Sequence, residues 1–159
     1  MKILIVCSSN VCRSPYAEFW LKKLTCESEV LTKNIEWIKS AAVFNESKKI
    51  FPKTKKCLLM DGFSETDIDT FKPTYAKKHE ELLNDADIII GMTYSHKKML
   101  PVKYQDKFYS LSEVSYGKYT AIPDPFLTLS FKKYRRTMDI IKDCIIKYAK
   151  NLEEKFTNE

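Results

Sequence analysis

A β-branched run, Lys2-Ile3-Leu4-Ile5-Val6, leads directly into Cys7-Ser8-Ser9-Asn10-Val11-Cys12-Arg13, and Ser14-Pro15 follows. A short, continuous apolar run is the pattern of a strand buried on both faces, as in a parallel sheet. Ser14 and Pro15 supply an N-cap and a first-turn proline, and Ala17, Trp20, Leu21 and Leu24 then recur at helical spacing. Strand, short loop and helix make the unit from which open α/β sheets are built, with ligands at the carboxyl ends of the strands.

The rest of the chain repeats the alternation. Ile35–Ala42, Asp87–Met92 and Phe108–Leu111 read as three further strands, and Pro52–Met60, Thr74–Leu83 and Ser95–Leu100 as helices between them. In the last helix Tyr134, Met138, Ile141, Ile145, Tyr148 and Leu152 step by three and four, which gives one face to pack on the sheet. A three-layer α/β/α sandwich with the loop between strand 1 and helix 1 is the expected fold. At 159 residues the chain suits a single domain, expected over 1–156, with 157–159 expected as a disordered tail.

Composition removes several chemistries. With only three glycines, Gly62, Gly91 and Gly117, neither a Gly-x-Gly-x-x-Gly turn nor a Walker-type loop can be assembled. Two histidines, His79 and His96, stand without a His-Glu-x-x-His frame and read as solvated helix residues, so no metal site is expected. Five irregularly spaced cysteines suit reduced thiols rather than a disulfide framework, and Cys26, Cys57 and Cys144 read as structural. The first residues are too briefly apolar for a signal peptide or a membrane span, so a cytoplasmic protein is expected. The net charge of +6 is scattered, and neither a nucleic-acid motif nor a membrane-binding pattern accompanies it.

Cys7 and Arg13, separated by five residues, suit a ring of inward-facing backbone N–H groups beside the positive end of a helix. Such a nest favours a negatively charged sulfur, hence a nucleophile at Cys7. Arg13 has the planar fork that grips two oxygens of a tetrahedral oxyanion. Ser14 can donate to the sulfur, and Asn10 tolerates a positive φ where no glycine is present. The expected anion-binding stretch is therefore Ser8, Ser9, Asn10, Val11, Cys12, Arg13 and Ser14. Asp124, between Pro123 and Pro125, lies on a stiffened turn.

The run from Cys7 to Pro15 resembles the signature of the low-molecular-weight protein tyrosine phosphatases. Ser40-Ala41-Ala42, Ala86–Met92 and Asp124-Pro125-Phe126 are similar to further segments of that family, in the same order. The resemblance implies a four-stranded parallel sheet in the order 2-1-3-4 and hydrolysis of phosphotyrosine through a cysteinyl-phosphate, without metal or cofactor. It implies Cys7 as nucleophile, Arg13 as phosphate clamp and Asp124 as general acid and base. Cys12 would be the redox partner of Cys7, and Asn10, Ser14 and Ser40 would support the loop. Phosphotyrosine-containing proteins or small aryl phosphates are the expected substrates, with inorganic phosphate or vanadate as inhibitors.

Several positions depart from the pattern. Ser9 stands where the family usually has glycine, Thr93 where it has Asp, and Lys72-Pro73-Thr74-Tyr75 where it carries a bracing histidine, so Ser40 and Asn10 are expected to meet through water. Phe126-Leu127 replaces the frequent tandem tyrosines. Phe126, Phe44 and Tyr94 are the expected rim, and Val11, rather than the Thr that resembles arginine phosphatases, favours phosphotyrosine. Two alternatives remain: a thioredoxin-coupled arsenate reductase of the same fold, whose usual close pair of cysteines after strand 2 is represented here by Cys57 alone, and a catalytically impaired phosphate-binding module.

Overall fold

The computed structural model describes all 159 residues. Four parallel strands, β1 (Lys2–Cys7), β2 (Trp37–Ala42), β3 (Ile88–Gly91) and β4 (Phe108–Ser110), form one sheet in the order β2-β1-β3-β4. That is the expected order. β1 runs through the centre, with Ile5 opposite Ser40 and Cys7 opposite Ala42 on one side, and Val6 opposite Gly91 on the other.

Both faces of β1 are buried, and the period-2 geometry of a strand sends its side chains into two different cores. Ile3, Ile5 and Cys7 join the larger core with α1 (Arg13–Cys26), α3 (Pro52–Met60) and the C-terminal helix, whereas Leu4 and Val6 pack with Leu83, Leu100, Tyr104 and Phe108 on the opposite face. This accounts for the unbroken apolar run.

The remaining helices are α2 (Glu29–Asn34), α4 (Glu65–Thr70), α5 (Glu80–Asp85), α6 (Tyr94–Met99), α7 (Leu111–Tyr116) and α8 (Phe131–Asn158). Three of these, α2, α4 and α7, carry too few turns for a periodic signal, and serine caps start them: Ser28, Ser64 and Ser110 each accept from a backbone N–H in the first turn. α7 ends at Gly117, whose φ of 70° is the left-handed cap that glycine adopts without strain.

Four expectations are corrected. The helix expected over Thr74–Leu83 is instead an extended stretch that bridges Tyr75 to Ala42, then a single 3₁₀ turn at Ala76–Lys78, then α5. Thr74 is drawn to the sheet because its carbonyl accepts from Ala42 N at 2.7 Å. Strand 2 begins at Trp37 rather than Ile35, which closes α2 through Leu31. α1 begins at Arg13, with Cys12 at the cap position, so Ser14 lies inside the first turn and its hydroxyl is free for other work. The tail expected to be disordered at 157–159 is helical through Asn158, and Thr157 Oγ1 bonds the Glu153 carbonyl at 2.7 Å. No helix is long and apolar enough to cross a membrane.

Candidate active site

The loop from Cys7 to Arg13 leaves the carboxyl end of the central strand and turns into α1. No backbone N–H from Ser8 to Ser14 donates to a protein acceptor, although the buried backbone elsewhere is largely paired. A row of such donors at a helix N-terminus attracts an anion. Its tightest turn falls at Asn10, with φ of 55°, and Asn10 is the only non-glycine residue with positive φ in the chain. Ser9 is not among them, so a side chain there introduces no backbone strain.

A buried hydrogen-bond chain runs behind the loop, and its directions can be assigned. Thr74 N–H donates to Asn10 Oδ1 at 2.9 Å, which fixes the amide so that Nδ2 donates to Ser14 Oγ and Ser40 Oγ, each at 2.8 Å. The Ser40 hydroxyl in turn donates to the buried Glu18 carboxylate, whose other oxygen is held by Lys22. Ser14, already an acceptor from Asn10, has its proton left for Cys7 Sγ at 2.9 Å. A proton donated to sulfur stabilises the thiolate. Asn10 and Ser40 thus meet directly, not through water as expected. Glu18 and the Thr74 backbone complete the network in place of a histidine. Glu18 escaped sequence reading because an acid on a helix looks like an ordinary solvated residue.

Arg13 is buried, yet both ends of its guanidinium are used. Nη1 donates to the Ile122 carbonyl at 2.9 Å and Nη2 stands 3.2 Å from Asp124 Oδ2. Asp124 Oδ1 accepts from Phe126 N–H at 3.0 Å, an Asx turn that holds the carboxyl at the mouth with half its side chain exposed. Cys7, Ser9, Val11, Cys12, Arg13, Asp124 and Phe126 line one pocket of about 200 Å³, together with Asn45 and Ser47. Ser9 Oγ donates to Asn45 Oδ1 at 2.6 Å, joining two polar residues of the lining. Larger grooves exist, such as one of about 480 Å³ between Tyr75, Met99 and Pro101, but none brings a nucleophile beside an anion nest.

Not every expected residue reaches this pocket. Phe44 lies outside its lining, 65% exposed, and Tyr94 is turned away, stacked on Tyr119 at 3.8 Å with its hydroxyl on Glu113. Phe126 alone of the three forms the rim, backed by Phe51 at 5.0 Å between ring centres. His96, read as solvated, is instead 2% exposed and bonds Ser8 Oγ. His79 is exposed as expected, beside Glu81. Cys12 is buried under the loop beside the Tyr134 and Thr54 hydroxyls, and burial pushes its thiol up to about 12 despite them. It is therefore a thiol at neutral pH. Cys57 is fully buried and takes no part in the pocket.

Comparison with known proteins agrees with this geometry. A family model described as low molecular weight phosphotyrosine protein phosphatase matches residues 2–158. A protein-arginine-phosphatase of Bacillus subtilis (strain 168) is 31% identical over 164 residues, covering 97% of this chain and 98% of its own. The low molecular weight protein-tyrosine-phosphatase PtpB of Staphylococcus epidermidis is 32% identical over 149 residues, covering 92% and 96%. Among solved structures, a YwlE arginine phosphatase with a phosphorylated serine in place of its active-site cysteine superposes with a TM-score of 0.84 at 27% identity, over the full length of both chains. The YwlE arginine phosphatase of Geobacillus stearothermophilus gives 0.83 at 26% identity, over 99% of this chain and 96% of its own. The chain thus belongs to the low molecular weight phosphotyrosine protein phosphatase family.

Proposed function

We propose that this protein hydrolyses phosphotyrosine in protein substrates, with Cys7 as nucleophile, Arg13 as phosphate clamp and Asp124 as general acid and base. The observation that carries the reading is the convergence of Cys7 Sγ, Arg13 and Asp124 on one small pocket floored by unpaired N–H groups.

Phosphate oxygens would accept from those N–H groups and from Arg13, which places phosphorus against the sulfur. Cys7 Sγ then forms the S–P bond as the P–O bond to the aryl group breaks, and the Asp124 proton passes to the leaving oxygen. In the second half, Asp124 takes a proton from water as the water oxygen attacks phosphorus. The S–P bond breaks, inorganic phosphate leaves, and the thiolate returns to its bond with Ser14. The nest meets the charge that develops on the equatorial oxygens without having to reorganise. The relative with a phosphorylated serine in the cysteine's place supports a covalent step at this position.

Val11 and Phe126 form apolar walls that suit an aryl ring, and this favours phosphotyrosine. Phosphoarginine is the second reading, because the Bacillus subtilis relative that spans nearly the whole chain is a protein-arginine-phosphatase. Paired phosphotyrosyl and phosphoarginyl peptides of one sequence decide between them. A higher kcat/KM on the phosphotyrosyl peptide, reduced by Val11→Thr, supports the first, and the reverse order supports the second. Cys12 would trap an oxidised Cys7: its thiol displaces water from a Cys7 sulfenic acid to give a disulfide. Reductant-reversible inactivation by peroxide, made irreversible by Cys12→Ser, is the expected sign.

A further inference from the structure

His96 lies between two parts of the active site, and its tautomer can be deduced. Its Nδ1 faces two backbone N–H groups, Met92 N at 3.2 Å and Thr93 N at 3.3 Å, at the corner where β3 passes into α6. Backbone nitrogens only donate, so Nδ1 must carry the lone pair and Nε2 the proton. The 3.2 Å contact between Nε2 and Ser8 Oγ is therefore a bond donated by the imidazole to the serine.

We propose that His96 is a positioning residue for the phosphate loop: held as the Nε2–H tautomer by the β3–α6 corner, it grips Ser8 Oγ and fixes the first residue after the nucleophile. This rests on the reading of Cys7–Ser14 as the phosphate site. Three features support it. Ser8 is also held by its carbonyl, which accepts from Phe44 N at 3.0 Å and Asn45 N at 3.2 Å, so its side chain and carbonyl are engaged while its N–H has no protein acceptor. The corner that His96 holds is joined to the Asp124 loop as well, because Met92 O accepts from Ile122 N at 3.0 Å and Ile122 O accepts from Arg13. One imidazole thus ties the nucleophile's loop to the element that carries the acid. Finally, the fit leaves no slack: a Cβ on Gly91 would come within 2.4 Å of the Phe108 ring and 3.3 Å of His96 Cβ.

The protonation state is consistent with this role. Burial, joined by the positive charge of Arg13 and only partly offset by Asp124, pushes the His96 imidazole down to about 4. Nδ1 therefore remains an acceptor at neutral pH.

Asparagine and glutamine separate the two functions of the ring, because Asn Oδ1 reproduces the Nδ1 acceptor and Gln Nε2 reproduces the Nε2 donor. The test measures kcat/KM on p-nitrophenyl phosphate, affinity for inorganic phosphate by calorimetry, and Tm, in His96→Asn, His96→Gln, Ser8→Ala and the Ser8→Ala/His96→Asn double variant. His96→Asn is expected to lose roughly 3–10-fold in both phosphate affinity and kcat/KM, as for one neutral hydrogen bond, while holding Tm better than His96→Gln. His96→Gln is expected to retain more of the kcat/KM. Ser8→Ala should reproduce the loss of His96→Asn, and the double variant should be no worse than either single one. Wild-type phosphate affinity in Ser8→Ala, which leaves the corner intact, would overturn the proposal, as would losses that multiply in the double variant. Absence of wild-type turnover would strike at the phosphatase reading instead, whereas phosphate affinity still decides the role of His96.

Discussion

Arg13 Nη2 stands 3.2 Å from Asp124 Oδ2 while Nη1 of the same guanidinium holds the Ile122 carbonyl at 2.9 Å, so the phosphate clamp also anchors the loop that presents the acid. A lysine has one point charge and cannot serve both ends. Arg13→Lys is expected to lower kcat/KM by roughly 10²–10³, the size expected for a donor that meets developing transition-state charge. Steady-state kinetics on an aryl phosphate check this, and a loss of less than threefold would show that the two-ended grip is unimportant.

Asp124 is expected to matter most where the leaving group needs a proton. Asp124→Ala should slow phenyl phosphate hydrolysis by roughly 10²–10⁴, the range for general acid catalysis, with a smaller loss on p-nitrophenyl phosphate, whose anion leaves without help. Equal losses on both substrates would remove Asp124 from the role of acid.

Outside the pocket lining, Asp61 at the end of α3 ties that helix to α1 and α8. Burial alone would raise its carboxyl, but bonds from Arg135, Tyr16 and Trp20 outweigh burial and hold it below the usual carboxylate range. A lowered folded value adds stability above the unfolded value and loses it as pH falls through the folded one. Asp61→Asn should therefore cost about 2–4 kcal/mol at pH 7, since it takes from the largely buried Arg135 its buried carboxylate partner and leaves only the half-exposed Asp139. The gap from wild type should narrow below about pH 4, near the unfolded carboxylate value. Urea unfolding at pH 7 and pH 3 measures both, and a gap that does not change with pH would refute the assignment.

Ser9 replaces a customary glycine without strain and gains the Asn45 bond at 2.6 Å. Ser9→Gly is expected to destabilise by about 1–2 kcal/mol, the sum of one partly exposed hydrogen bond and the added freedom of the unfolded chain. For a chain of this size that is a Tm drop of roughly 2–8 °C. A rise in Tm would show the serine to be a burden.

Much of this could be read from residue order because the strong signals are local. The Lys2–Val6 run, the Cys7-to-Arg13 spacing and the three- and four-step pattern of α8 each lie within a few turns of chain, and the structure places β1, the loop and α8 accordingly. What escaped depends on contacts distant in sequence. His96 meets Ser8 across 88 residues and Glu18 meets Ser40 across 22, and neither a lone histidine nor an acid on a helix announces such a partner. The extended path of Thr74–Tyr75 was hidden for the same reason: local spacing suggests a helix, but pairing with Ala42 and Asn10 decides otherwise. Ser14, read both as a cap and as a donor to sulfur, lies inside the first turn of α1 and keeps only the second role.

The central claim is a covalent bond between Cys7 and the substrate's phosphoryl group. Acid quenching of the enzyme within milliseconds of mixing with phosphotyrosyl peptide, followed by mass analysis of the peptide that contains Cys7, tests it directly. The account predicts one added phosphoryl group on Cys7, chased by water to inorganic phosphate without added metal, and none on that peptide in Cys7→Ala. Turnover retained by Cys7→Ala, or a phosphoryl group found on any other side chain, would contradict it.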